Sequence, residues 1–92
     1  MARTFEWDPL KARINVRKHG VSFDEAIGVF WDPLSNTALD SYHSHQEDRF
    51  ITVGLSAEHR LLLVSYTERD GVIRLISARL ANRREQQMYE EY

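Results

Sequence analysis

From residue 36 onward the hydrophobic period of this chain is close to two. "NTALDSYH" (36–43), "DRFITVGL" (48–55), "RLLLVSYT" (60–67) and "VIRLISARL" (72–80) are rich in Val, Ile, Leu, Phe, Tyr and Thr, the residues that suit a pleated, half-buried surface. "SAEH" (56–59) and "RDG" (69–71) supply turn residues between consecutive segments, so an antiparallel meander is the simplest pairing. A sheet with this many aliphatic side chains must cover one face, and the cover has to come from the rest of the chain.

The N-terminal third supplies it. "TFEW" reads as a short first strand. In "DPLKARINVRKHG" Asp8 is placed as N-cap, Pro9 as first helical residue and Gly20 as the stop. "SFDEAIGVFWDP" follows, with Ser22 and Glu25 in the S-x-x-E capping-box pattern, Val21 poised to staple onto Ala26, and Phe23, Ile27 and Phe30 at core-facing spacing. "ANRREQQMYEEY" predicts a last short helix with Asn82 as N-cap and Glu85 three residues on. The order is β-α-α-β-β-β-β-α, an α+β fold with a mainly antiparallel sheet, two N-terminal helices packed on one face and a short C-terminal helix. The opposite face is then where function would sit.

A length of 92 residues predicts one domain, spanning 1–92. With 42% hydrophobic and 28% charged residues, the composition excludes a wholly disordered or fibrous chain. The absence of cysteine excludes disulfides and thiol chemistry and suits a cytoplasmic protein. "LLLV" (61–64) is the longest apolar run and the N-terminus lacks a signal-peptide core, so no membrane association or export is expected. The net charge of −2 hides a segregation: residues 1–19 carry +3, residues 20–59 carry −6, residues 60–84 carry +4 and the last eight carry −3. Such asymmetry is compatible with a basic surface for a polyanion, and equally with scattered solvated charge.

Arg69, Arg74 and Arg79 stay protonated at any accessible pH, so they bind phosphate or stabilise developing charge rather than move protons. Unbroken alternation would put Arg74 and Arg79 on opposite faces of the strand, with Arg74 as a rim residue over aliphatics. Arg69 falls in the turn, and Arg69, Arg79 and Arg83 are the set expected to converge. On the first helix Lys11, Asn15 and Lys18 recur as one polar stripe, with Leu10 and Ile14 turned inward. His19, at that helix's end, is explained by the helix dipole alone and is also a candidate acid or base. His43, His45 and Glu47 alternate like metal ligands, but no fourth ligand stands at a recognisable interval, so no metal or other cofactor is expected. Ser65 and Ser77 have no adjacent base that the sequence reveals.

"FEWDPLKARINVRKHGVSFDEA", "EDRFITVG", and "LLLVSYTERDGVIRLISAR" followed by "NRREQQMYE" together resemble the BrnT family of bacterial toxins, over Phe5 to Tyr89. The most specific pieces are "KHGVSF" and "RLISAR". The resemblance implies a RelE-type fold and a ribonuclease that arrests translation. It also implies a BrnA antitoxin with a ribbon-helix-helix DNA-binding part, in a hetero-oligomeric complex that binds its own promoter DNA. The family pattern falls on Lys11, Asn15, Lys18, His19, Arg49, Thr67, Arg69, Arg74, Ser77, Arg79 and Tyr89. It is departed from at Leu80, where the family often has lysine, and in the histidine-rich "YHSHQEDR".

Metal-independent RNA cleavage needs a base for the 2′-hydroxyl, an acid for the leaving 5′-oxygen and cations for the charge that develops on phosphate. Arg69 and Arg79 are assigned to the phosphate, Glu68 or His19 to the base, and Tyr89 or His19 to the acid. Lys11, Lys18, Arg49, Arg74 and Arg83 are the expected RNA-binding residues. Competing readings are a non-catalytic nucleic-acid-binding module and a domain whose arginines pair with an acidic partner protein. Trp7, Trp31 and Tyr92 are candidate anchors for an antitoxin, with burial the alternative for both tryptophans.

Overall fold

The computed structural model describes residues 3–43 and 47–90; His45 and Tyr92 therefore lie outside the described residues. In chain order the elements are β1 (Thr4–Glu6), α1 (Pro9–His19), α2 (Phe23–Ile27), a 3₁₀ turn (Gly28–Trp31), β2 (Asn36–Leu39), β3 (Arg49–Leu55), β4 (Leu61–Arg69), β5 (Val72–Leu80) and α3 (Arg83–Glu90). The strands form one sheet in the order β1-β5-β4-β3-β2. β2 to β5 are the expected antiparallel meander, and β1 adds to β5 in parallel. This is the α+β, RelE-like arrangement. Among the described residues no helix is long and apolar enough to cross a membrane.

The local signals act where the residues place them. The Asp8 carboxylate accepts the Leu10 N–H at 2.9 Å, and Gly20 ends α1 in the left-handed region at φ 70°. Asp70 and Gly71, at φ 53° and 79°, form the two-residue turn that primed hairpin geometry requires. Arg69 is accordingly not in the turn; it is the last residue of β4, paired with Val72.

One sheet face is covered by α2 and the 3₁₀ turn. Leu62, Val64 and Tyr66 of β4 and Ile73, Leu75 and Ala78 of β5 pack there with Val21, Phe23, Ala26 and Val29. Ile27, Phe30 and Trp7 are partly buried against the same cluster, whereas Trp31 stays 63% exposed.

α1 lies along β5 in an orientation that departs from the sequence reading. Asn15 is buried, at 5% exposure, while Leu10 and Ile14 are 54% and 53% exposed. The cause is backbone accounting. β1 ends at Glu6, opposite Arg74, but β5 runs on to Leu80 with its outer edge unpaired by strand. Asn15 fills that edge: Nδ2 donates to Ala78 O at 2.7 Å and to Val21 O at 2.9 Å, and Oδ1 accepts from Ala78 N at 3.1 Å. Turning Asn15 inward sends Leu10 and Ile14, roughly 100–140° away on the helix, to solvent.

Glu25 differs as well. Ser22 Oγ accepts the Glu25 N–H at 3.0 Å, but the Glu25 carboxylate does not return to Ser22. It accepts from Ser56 Oγ at 2.7 Å and Arg60 Nε at 2.9 Å, with Arg60 Nη2 as a further donor, and so ties α2 to the β3–β4 turn. The hydrogen bond from Arg60, working against burial, holds the Glu25 carboxyl below its ordinary value. A depressed folded-state pKa contributes stability that is present above the unfolded value and lost as pH falls through the folded one. Melting curves from pH 7 to pH 3 should show the wild type losing stability below about pH 4.5, near the ordinary Glu value. Glu25→Gln should be about 2 kcal/mol less stable at pH 7, with a flatter acid slope.

Candidate active site

On β4, Leu63, Ser65, Thr67 and Arg69 alternate with the buried Leu62, Val64 and Tyr66 and so face away from α2. Their partners on β3 are Val53 opposite Leu63, Ile51 opposite Ser65 and Arg49 opposite Thr67. On β5 an irregularity decides which arginines join them. Tyr66 faces Leu75 but Ser65 faces Ser77, leaving Ile76 as the extra residue of a β-bulge. The insertion resets the alternation, so Arg74 (opposite Thr67), Ser77 and Arg79 (opposite Leu63) all lie on the outer face. This corrects the expectation that Arg74 and Arg79 are on opposite sides.

The arginines share a face without converging. A hollow of about 380 Å³ is lined by Arg79, Arg49, Ser65, Ser77, Asp40 and His43, with Ile51, Leu63, Ile76 and Glu85 completing it. A second, of about 340 Å³, holds Arg69 and Arg74 with Glu6, Glu47, Thr67 and Asp70. Arg69 and Leu63, the β4 partner of Arg79, are separated by roughly 20 Å of strand at about 3.3 Å per residue. Arg69 and Arg79 therefore line separate hollows, and Arg83, exposed at the start of α3, lines neither.

Each of the three carries a carboxylate: Glu47 lies 3.5 Å from Arg69, Glu6 3.2 Å from Arg74 and Glu85 2.9 Å from Arg79. The first two pairs are exposed and weak. The third is bidentate, with Nη1 and Nη2 donating to the two Glu85 oxygens at 2.9 Å each. Glu85 is itself fixed by the α3 capping box, accepting from Asn82 N at 2.8 Å while its own N–H donates to Asn82 Oδ1 at 2.9 Å. Hydrogen bonding to Glu85 raises the pKa of Arg79 further. Nη1 also donates to Leu80 O at 3.2 Å, so Nε–H and one Nη2 proton remain for an anion in the hollow.

A third groove, of about 240 Å³, runs between α1 and β5 and is lined by Lys11, Ile14, Asn15, Lys18, His19, Ile76 and Ser77. It meets the first hollow at Ile76 and Ser77. Lys11, Lys18 and His19 thus line a groove that shares Ile76 and Ser77 with the hollow containing Arg49 and Arg79.

Two candidate proton-transfer residues are placed elsewhere. Glu68 pairs with the fully buried Ile73 and so lies on the helix-covered side of the sheet; β4 stays regular through Arg69, with no twist to bring Glu68 round. Tyr89 packs with Val53, Leu63 and Ala81, and its hydroxyl donates to Asp32 Oδ2 at 2.6 Å. That bond, helped by burial, pushes the Tyr89 pKa up to about 12. Asp32 also accepts from Leu55 N and Leu34 N; burial pushes its carboxyl up, and these bonds together bring it below its ordinary value. Tyr89 is therefore a tether for α3. Tyr89→Phe should cost about 1–2 kcal/mol in a denaturant melt.

Sequence reasoning passed over a pair that the first hollow contains. His43 Nδ1 and Asp40 Oδ2 are 2.7 Å apart, and the Tyr42 ring packs edge-on against the imidazole at 5.0 Å. The signal was the "DSYH" spacing, which places both side chains on one turn. Among the described residues no group of three or more His, Cys, Asp or Glu is arranged to hold a metal ion.

The sequence matches, over residues 7–85, the family model described as "Ribonuclease toxin, BrnT, of type II toxin-antitoxin system". Among solved structures, the crystal structure of the Brucella abortus ribonuclease toxin BrnT aligns with a TM-score of 0.68 at 18% identity, covering 89% of this chain and 100% of that one. No curated protein matches the chain.

Proposed function

Because this chain belongs to the BrnT family of type II toxin-antitoxin toxins, and the family implies a cognate antitoxin, we propose that it is an endoribonuclease that cuts RNA without a metal ion and thereby inhibits translation. The supporting observation is the outer-face hollow, in which Arg79 is held in a fixed orientation by Glu85 and stands with Arg49 over Ser65 and Ser77. A guanidinium held rigid before the substrate arrives costs no reorganisation as charge develops on the phosphate, and this makes such a donor effective.

In this reading Arg79 and Arg49 bind the reacting phosphate. Lys11 and Lys18 guide the strand along the adjoining groove, and His19, in the same groove, gives a proton to the leaving 5′-oxygen. Arg69 and Arg74 contact phosphates further along the strand, and Arg83 adds long-range attraction. The antitoxin is a BrnA-like ribbon-helix-helix protein that blocks the hollow, in a complex that binds its own promoter through the antitoxin.

Induced expression of the chain in a bacterial host without antitoxin should stop growth with fragmentation of cellular RNA, and co-expression of the antitoxin should relieve both. Growth arrest with intact RNA would instead favour a non-catalytic RNA-binding module.

A further inference from the structure

We infer that His43, oriented by Asp40, is the general base of this hollow, taking the 2′-hydroxyl proton as the ribose oxygen attacks phosphorus. The inference rests on the ribonuclease reading and names a group that reading lacked, since Glu68 is on the other side of the sheet. Hydrogen bonding to His43, against a smaller opposing effect of burial, holds the Asp40 carboxyl below its ordinary value, so near neutrality it is an acceptor only. Nδ1 of His43 is then the donor in the 2.7 Å contact, and Nε2 is left as the nitrogen with an available lone pair on a side chain that lines the hollow. The Tyr42 ring packs edge-on against the imidazole. Asp40 is anchored in turn: its N–H donates to Arg49 O at 2.7 Å, and its carbonyl accepts from His43 N at 3.2 Å. The other charged groups around this hollow are Arg49 from β3, Arg79 from β5 and Glu85 from α3; the two cations sit where the phosphate would lie and the carboxylate is occupied by Arg79.

The step balances without any further reagent. His43 Nε2 takes the proton from the 2′-hydroxyl, O2′ bonds to phosphorus, the P–O5′ bond breaks, and O5′ leaves with a proton supplied by His19 or by water. The products are a 2′,3′-cyclic phosphate and a 5′-hydroxyl. Asp40 does not touch the substrate; it is a positioning residue that fixes the tautomer.

The test is the pH dependence of kcat and KM for a short labelled oligoribonucleotide, with the full chain and its His43→Ala and Asp40→Asn variants. The His43 side chain is 54% exposed, so its loss should leave the melting temperature unchanged. His43→Ala should lower kcat about 100-fold with KM within about threefold, abolish the acid limb of the pH–rate profile and recover part of the rate when imidazole is added. Asp40→Asn should lower kcat about tenfold and keep that limb. A His43→Ala protein with unchanged kcat and pH profile, or one changed only in KM, overturns the assignment. So does a lower kcat with the acid limb intact and no recovery in imidazole. If the wild type itself makes no cut at any pH, the ribonuclease reading falls, and this assignment falls with it.

Discussion

Replacing Arg79 with alanine is expected to slow RNA cleavage by about 100-fold or more, the usual cost of losing a preorganised charge donor, while Arg74→Ala stays within about threefold of wild type. The contrast follows from where the two guanidinium groups sit on the same sheet face. Arg79 is fixed by two 2.9 Å bonds to Glu85 beside Arg49, Ser65 and Ser77. Arg74 makes one exposed 3.2 Å contact with Glu6 in the other hollow. Arg79→Lys should recover only a small part of the activity, because an ammonium cannot hold the carboxylate and present a planar fork to phosphate together. Single-turnover rates on one oligoribonucleotide separate the three variants, and equal losses for Arg74→Ala and Arg79→Ala would show that the hollows do not differ in role.

Asn15→Asp is expected to be strongly destabilising. The wild-type amide presents two donors to Ala78 O and Val21 O and one acceptor to Ala78 N. A carboxylate keeps the acceptor and aims negative charge at two carbonyls in a buried site. Loss of the donors and burial of an unpaired charge should cost about 3–5 kcal/mol, against a total stability of about 5–15 kcal/mol for a domain. Burial raises the pKa of the new acid above its unfolded value, so its penalty is least below that value and grows as pH rises through the folded one. Asn15→Asp should therefore melt at least 10 °C below wild type at pH 7 and recover as the pH falls to 4, opposite in sign to the acid sensitivity set by Glu25. Asn15→Ala should cost about 3 kcal/mol without the pH dependence.

The limits of α1 could be read directly, because Asp8, Pro9 and Gly20 act through contacts made within one turn of themselves. The four-strand meander was equally legible from its period and turns. The parallel seat of β1 was not, since nothing local to "TFEW" selects a partner. The burial of Asn15 depends on where β1 stops relative to β5, a fact of pairing rather than of spacing, and so an asparagine on a lysine-bearing stripe read as surface. The bulge at Ile76 carries no glycine or proline to mark it, and it alone brings Arg74 and Arg79 to one face. Arg49 and Ser77 fell on the family pattern, but their meeting with His43 and Asp40 needed the sheet: the loop after β2 and the middle of β5 are neighbours only once β3 and β4 lie between them.

The most direct measurement is to incubate the purified chain alone with 5′-labelled RNA in excess chelator and to determine the chemistry of any new ends. The prediction is scission that persists in chelator, leaves 2′,3′-cyclic phosphate and 5′-hydroxyl termini, and is lost in the Arg79→Ala protein. Intact RNA that is merely bound, with an affinity that falls as salt rises, or cutting that starts only when a divalent metal is restored, would contradict it.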